Sequence, residues 1–444
     1  MKRFKRVSIF TISLGAFLLM AAAVIISLLF QKSVPTAVSA TTPAAAEPSY
    51  CTVTEVFDWG PAVTKVILPL GKTVTKGSLD AGNFSVHVAR TDPRPGVTIT
   101  GNGAEGERPV TKAYVSDKDG NAAESGGYAT LEMQVGPDVS LGYPINYDEK
   151  SAVHNVWNKC DYTVTQRKDI VSDSGVISGL IVHKRSGDVK KLVDDFKTGS
   201  YPSPDQITLT YASFEPAKDN HKNPLIVWLH GLGEIGTDPT IPIASNKSCC
   251  FASSGVQSSF GGAYVLSPQC PVMWTEGSEE SALMALIKDY VSKNSDIDTK
   301  RIYVGGNSNG GYMTMLLARD YWDYFAAAVP CCEALADASI TDADIQKLKN
   351  IPLWLTAAKT DTIVPPEKFA VPTYRRLVKA GAKNIHFSYF DKVIDTTGLY
   401  KKADGTPYEY NGHFSFYYVF NNQCTDRVDG KNTAIMQWLS AQSK

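Results

Sequence analysis

"IYVGGNSNGGYM", residues 302–313, decides how this chain is read. An apolar run ends in two glycines, one serine stands between two asparagines, and two more glycines follow. Gly306-Asn307-Ser308-Asn309-Gly310 fits G-x-S-x-G, between an expected strand and an expected helix. In that setting glycines relieve crowding where strand and helix meet. The serine is lifted above the sheet edge, and the start of the following helix favours developing negative charge.

The flanking sequence supplies the sheet. "LIVWLHG", "AYVLSPQ", "RIYVGG", "FAAAVP", "IPLWLTAAK" and "NIHFSYF" read as strands. "ESALMALIKDYVSKN", "GYMTMLLARDY" and "PEKFAVPTYRRLVKAG" read as helices between them. Near-continuous apolar strands alternating with helices imply a parallel sheet covered on both faces, with ligands at the carboxyl ends of its strands. Upstream, from about Val53 to Gln166, the pattern is different. Short β-rich runs such as "TKVILPL", "NFSVHVAR" and "YATLEMQV" are separated by turns such as "DPRPG" and "DKDGN", as in a β-sandwich.

A serine nucleophile needs a base, and the base an orienting acid. Asp361 follows the strand "IPLWLTAAK", and His413 lies in "YEYNGHFSFYYV" after the last expected strand. The order Ser, Asp, His is that of α/β-hydrolases. "WLHGLGE" ends a strand in an H-G-x-G turn, whose Leu232 amide, with that of Asn309, would receive an oxyanion. His230 is read as holding that turn together. Gly231, Glu234 and Trp274 are candidates for substrate contact, with a solvent-facing Glu234 and a core Trp274 as the alternatives.

Residues 1–48 read as an N-terminal signal or anchor plus linker, 49–168 as the sandwich and 169–444 as the catalytic domain. Lys2, Arg3, Lys5 and Arg6 precede an uncharged run from Val7 to Phe30, which as a helix would span roughly 36 Å. Cleavage after Val38-Ser39-Ala40 and an uncleaved membrane anchor through residues 7–30 both stay open. Either exports the rest of the chain, to the outside or to the outer face of the membrane. Eight cysteines suit export, and Cys51 with Cys160 flank the first region as a staple or as free thiols. No His/Cys spacing suggests a metal. With 44 basic and 45 acidic residues, the chain lacks the basic excess of a nucleic-acid binder.

"VWLHGLGE", "GGNSNGGYM", "KTDTIVPPEKF" and "YNGHFSF" resemble secreted bacterial esterases of the α/β-hydrolase superfamily, of the prolyl oligopeptidase-like or phospholipase/carboxylesterase-like kind. "FDWGPAVTKVILPL" and "PVTKAYVSDKDG" resemble the immunoglobulin-like domain preceding such esterases. The resemblance implies an acyl-serine intermediate on Ser308, His413 as base, Asp361 as acid, no cofactor, and a small-molecule or polymer ester as substrate. No β-propeller repeat precedes the hydrolase region, which sets the chain apart from true prolyl oligopeptidases.

Overall fold

The computed structural model describes residues 47–99, 103–148 and 154–444. The expected signal or anchor segment lies outside them. Among the described residues no helix is long and apolar enough to cross a membrane.

The catalytic half is built on an eight-stranded sheet. Lys197–Pro202 and Thr208–Phe214 form its antiparallel edge; Tyr264–Gln269, Asn223–Leu229, Ile297–Asn307, Ala327–Cys331, Leu353–Ala358 and Ile385–Phe390 follow in parallel. Asn223–Leu229, Tyr264–Gln269, Ala327–Cys331 and Leu353–Ala358 are buried throughout, and Ile297–Asn307 is buried from Ile302 onward, as the sequence pattern requires. Helices cover both faces, with Ala282, Leu283, Leu286, Leu316 and Leu317 packed on one side and Trp228, Phe251 and Phe420 on the other. Asn223–Leu229 is paired on one side with the strand that follows it in sequence and on the other with Ile297–Asn307. The strand order therefore reverses there, and in sheets of this kind ligands bind at the carboxyl ends of the strands at such a point.

The N-terminal half is a sandwich of a five-stranded and a four-stranded sheet. Its core is Val66, Leu68, Val86, Val88, Leu131, Tyr162 and Val164. β-Pairing continues to Lys190, where Lys184–Lys190 runs parallel to Ser49–Phe57. That strand carries Lys184, Arg185, Asp188 and Lys190, and its polarity hides it from a reading by apolar runs.

Cys51 and Cys160 are not joined, and all eight cysteines are free. They lie on strands of opposite sheets, with the Cys51 thiol directed to Thr52 O and the Cys160 thiol to Asn158 O. The staple reading is thus corrected: the sandwich is held by packing and by Arg108. That side chain is 1% exposed and donates to Val63 O, Gln134 O, Leu141 O and the Tyr162 hydroxyl. Removing it would orphan several buried carbonyls together. Arg108→Ala is therefore expected to lower stability by about 3 kcal/mol or more, measured by urea unfolding.

Candidate active site

Two glycines let the serine turn form. A Cβ on Gly310 would lie 2.1 Å from Leu229 O, and one on Gly306 2.7 Å from both Leu229 O and Gly310 O. With no Cβ at either position, the helix Asn309–Asp320 starts directly against the end of Asn223–Leu229. Ser308 takes the bend itself, at φ 57° and ψ −117°, a conformation costly for a residue with a side chain. Its amide donates to Cys331 O (3.0 Å) and its carbonyl accepts from Tyr312 (2.8 Å). The half-buried hydroxyl is thereby presented above the sheet edge.

Two strands along, Asp361 Oδ2 accepts from His413 Nδ1 at 2.9 Å, with both side chains buried. Asp361 Oδ1 accepts from the Ile363 and Val364 amides, each at 2.9 Å. The carboxylate cannot rotate without losing both, so it fixes the imidazole with the proton on Nδ1 and leaves Nε2 as acceptor. A Cβ on Gly412 would lie 2.3 Å from Asp361 N, so only glycine lets the histidine loop come this close. Asn411 caps that loop by accepting from the His413 amide (2.9 Å). The strand between the serine and the aspartate ends at Cys331, and the buried Cys332 follows at a positive φ of 37°. Among the described residues no hydrogen bond joins Ser308 to His413; such bonds commonly tighten only with substrate.

The H-G-x-G turn lies beside the serine through the register Leu229↔Gly306. His230 is buried, with Nδ1 2.7 Å from Gly231 O and Nε2 accepting from the Cys270 amide (3.0 Å). Both nitrogens are committed, and burial pushes its pKa down to about 4, partly offset by the bond to Gly231. A neutral, fully bonded imidazole of this kind holds a loop. Trp274 is 1% exposed, rests on the His230 ring at 5.1 Å and donates to His230 O. Its backbone clamps the Asn309 side chain, with Trp274 N to Asn309 Oδ1 at 2.7 Å and Asn309 Nδ2 to Trp274 O at 2.9 Å. Trp274 thus sits in the core and steadies the residue after the serine. The Leu232 and Asn309 amides are donated to no protein group among the described residues.

Glu234 is buried rather than solvent-facing. Burial pushes its carboxyl up to about 7, against the opposing pull of the Asn246, Ser245 and Asn155 side chains and the Gly231 amide. Two further residues escaped the sequence reading. Asn155, from the sandwich, donates to Gly233 O (3.1 Å) and Glu234 Oε1 (3.2 Å). Glu333 is buried beside the helix bearing the serine, raised well above the usual carboxyl range by burial and held by the Leu335 amide. An acid inside "VPCCEAL" was the available signal for Glu333; nothing local marks Asn155. No group of three or more metal-ligating side chains gathers among the described residues.

A family model described as the esterase Ig-like N-terminal domain matches residues 49–179, and the prolyl oligopeptidase family model matches residues 281–361. Over 89% of its length the chain is similar to the whole of a thermostable esterase of solved structure, at 25% identity and a TM-score of 0.71. The chain is a serine hydrolase of the α/β-hydrolase fold. The hydrolase also aligns with the acylaminoacyl peptidase of Pyrococcus horikoshii, at 16% identity and TM-score 0.37 over 72% of this chain and 54% of that one. A ferulic acid esterase aligns at 13% identity and TM-score 0.36, over 44% of this chain and 90% of that one. No curated protein matches the sequence.

In this hydrolase Gly310→Ala is expected to cost roughly 100-fold or more in activity, because Leu229 or Ser308 must move. A second expectation concerns pH. Glu234 holds its proton more tightly when folded (about 7) than at its ordinary 4.5, so its burial lowers stability as pH rises through that interval. The total is about 3 kcal/mol. Unfolding curves of Glu234→Gln should lack this decline and show a more stable protein than wild type at pH 8.

Proposed function

We propose that the protein hydrolyses short-chain or soluble carboxylic esters through an acyl-enzyme on Ser308. The observation that carries this reading is the Asp361–His413 pair, buried at the same end of the sheet as the strained Ser308 turn. Ser308 Oγ attacks the ester carbonyl carbon while His413 Nε2 takes its proton. The carbonyl oxygen becomes an oxyanion received by the Leu232 and Asn309 amides. As the tetrahedral intermediate collapses, the C–O bond to the alcohol breaks, and His413 returns the proton to the leaving oxygen. Water, deprotonated by His413, attacks the acyl carbon, and the acid leaves as Ser308 recovers its proton. Asp361 holds the imidazole tautomer throughout and stabilises the imidazolium.

The oxyanion geometry supports the second half of the scheme. Leu232 and Asn309 follow His230-Gly231 and Ser308 on adjacent strand ends, and each amide is fixed by a clamp of its own, His230 for one turn and Trp274 for the other. The absence of a long apolar insertion in the sequence favours soluble esters over lipid droplets. We further propose that the chain works outside the cytoplasm, from its basic N-terminus and the uncharged run that follows. Peptide amides and acetylated or feruloylated polymers are the competing substrates.

The reading is tested with p-nitrophenyl esters from acetate to palmitate and a prolyl p-nitroanilide, using wild type and Ser308→Ala. The expected result is turnover of the short esters, an untouched anilide, and loss of several orders of magnitude in the variant. A cleaved anilide would make the protein a peptidase. Activity surviving in Ser308→Ala would remove the nucleophile from the scheme.

A further inference from the structure

The strands Ile145–Tyr147 and Asn155–Trp157 pair as a two-stranded sheet of their own in the N-terminal half, and Asn155 reaches the H-G-x-G turn of the catalytic half. Asn155 contributes one side-chain amide to two acceptors there, Gly233 O and Glu234 Oε1. A Cβ on Gly233 would lie 3.4 Å from Asn155 Nδ2 and 3.7 Å from the Tyr147 ring, so the hairpin sits directly on the turn. From the other side, Gln269 donates to Glu234 O (2.9 Å). Glu234 Oε2 folds back to within 3.4 Å of the Cβ position of Gly231. The segment Gly231–Glu234 is thus held at its start by His230 and at its end by Glu234 and Asn155, with Leu232 between.

We propose that Asn155 is a positioning residue for the reaction: through Gly233 O and the Glu234 carboxyl, the immunoglobulin-like domain fixes where the Leu232 amide points. The inference rests on the assignment of Leu232 to the oxyanion hole. Glu234 is the relay. Its buried carboxyl oxygen accepts from the neighbouring domain, so the turn is tied to the sandwich through a group that costs stability on ionisation. Lining up a hydrogen-bond donor with a developing oxyanion is sensitive to shifts of an ångström or less, so losing this brace should be felt in turnover rather than in substrate affinity.

A control at the same domain contact is available. Trp157, two residues on, donates to Thr240 Oγ1 at 2.8 Å, a partner outside the turn. In the full chain, kcat and KM for p-nitrophenyl acetate and butyrate would be measured for Asn155→Ala, Glu234→Ala, Glu234→Gln and Trp157→Phe. Asn155→Ala and Glu234→Ala are expected to lower kcat about tenfold for both esters with KM within twofold. Combining them should cost no more than either alone, because both remove the same brace. Glu234→Gln keeps an acceptor for Asn155 and should stay near wild type, as should Trp157→Phe. Wild-type kcat in Asn155→Ala would overturn the proposal. So would an equal loss in Trp157→Phe, which would make general domain seating the cause. Failure of the underlying reading shows separately, as a wild-type chain inactive on esters or an active Ser308→Ala.

Discussion

Everything at this site depends on one close approach, that of the Leu229 carbonyl to the backbone of Gly306 and Gly310. Because no side chain stands in the gap, the helix after Ser308 begins almost on top of the neighbouring strand. Ser308 is then forced to a positive φ, and its hydroxyl projects above the sheet edge. The same contact puts the end of one strand, where the H-G-x-G turn starts, next to the serine. Ser308 and the turn are therefore positioned by a single backbone constraint in the buried middle of the sheet.

His413 and Asp361 come from farther along the sheet, but the logic repeats. Gly412 admits the histidine loop against the backbone of the aspartate loop, and two backbone amides lock the Asp361 carboxylate. Strain and close packing at these two places are borne by a large core on both faces of the sheet. The sandwich adds a further constraint from outside. Its Asn155 meets the far end of the turn that His230 holds from within.

Much of this was legible in the sequence because it is local. G-x-S-x-G between strand and helix names its serine, and the strand ends place Asp361 and His413 without a structure. His230 was separable from a catalytic base because it opens a turn that must be held. What stayed hidden depends on contacts between residues far apart in the chain. Asn155 acquires meaning only when its hairpin meets Gly233, some 78 positions later. The polar strand Lys184–Lys190 joins the sandwich through backbone pairing that no apolar pattern marks. Cysteine spacing suggested a staple, yet Cys51 and Cys160 are both free, their thiols turned to local carbonyls. Trp274 looked like a pocket wall from its place after a strand; burial makes it a support for His230 and Asn309.

The most direct test of the central claim is covalent. The full-length protein would be treated with a fluorophosphonate, which phosphonylates an activated serine by displacing fluoride, and the product mapped by intact and peptide mass spectrometry. One label per chain on the peptide containing Ser308, abolished in His413→Ala, is the result this account predicts. Labelling at another serine, or labelling at Ser308 that persists at full rate without His413, would contradict it.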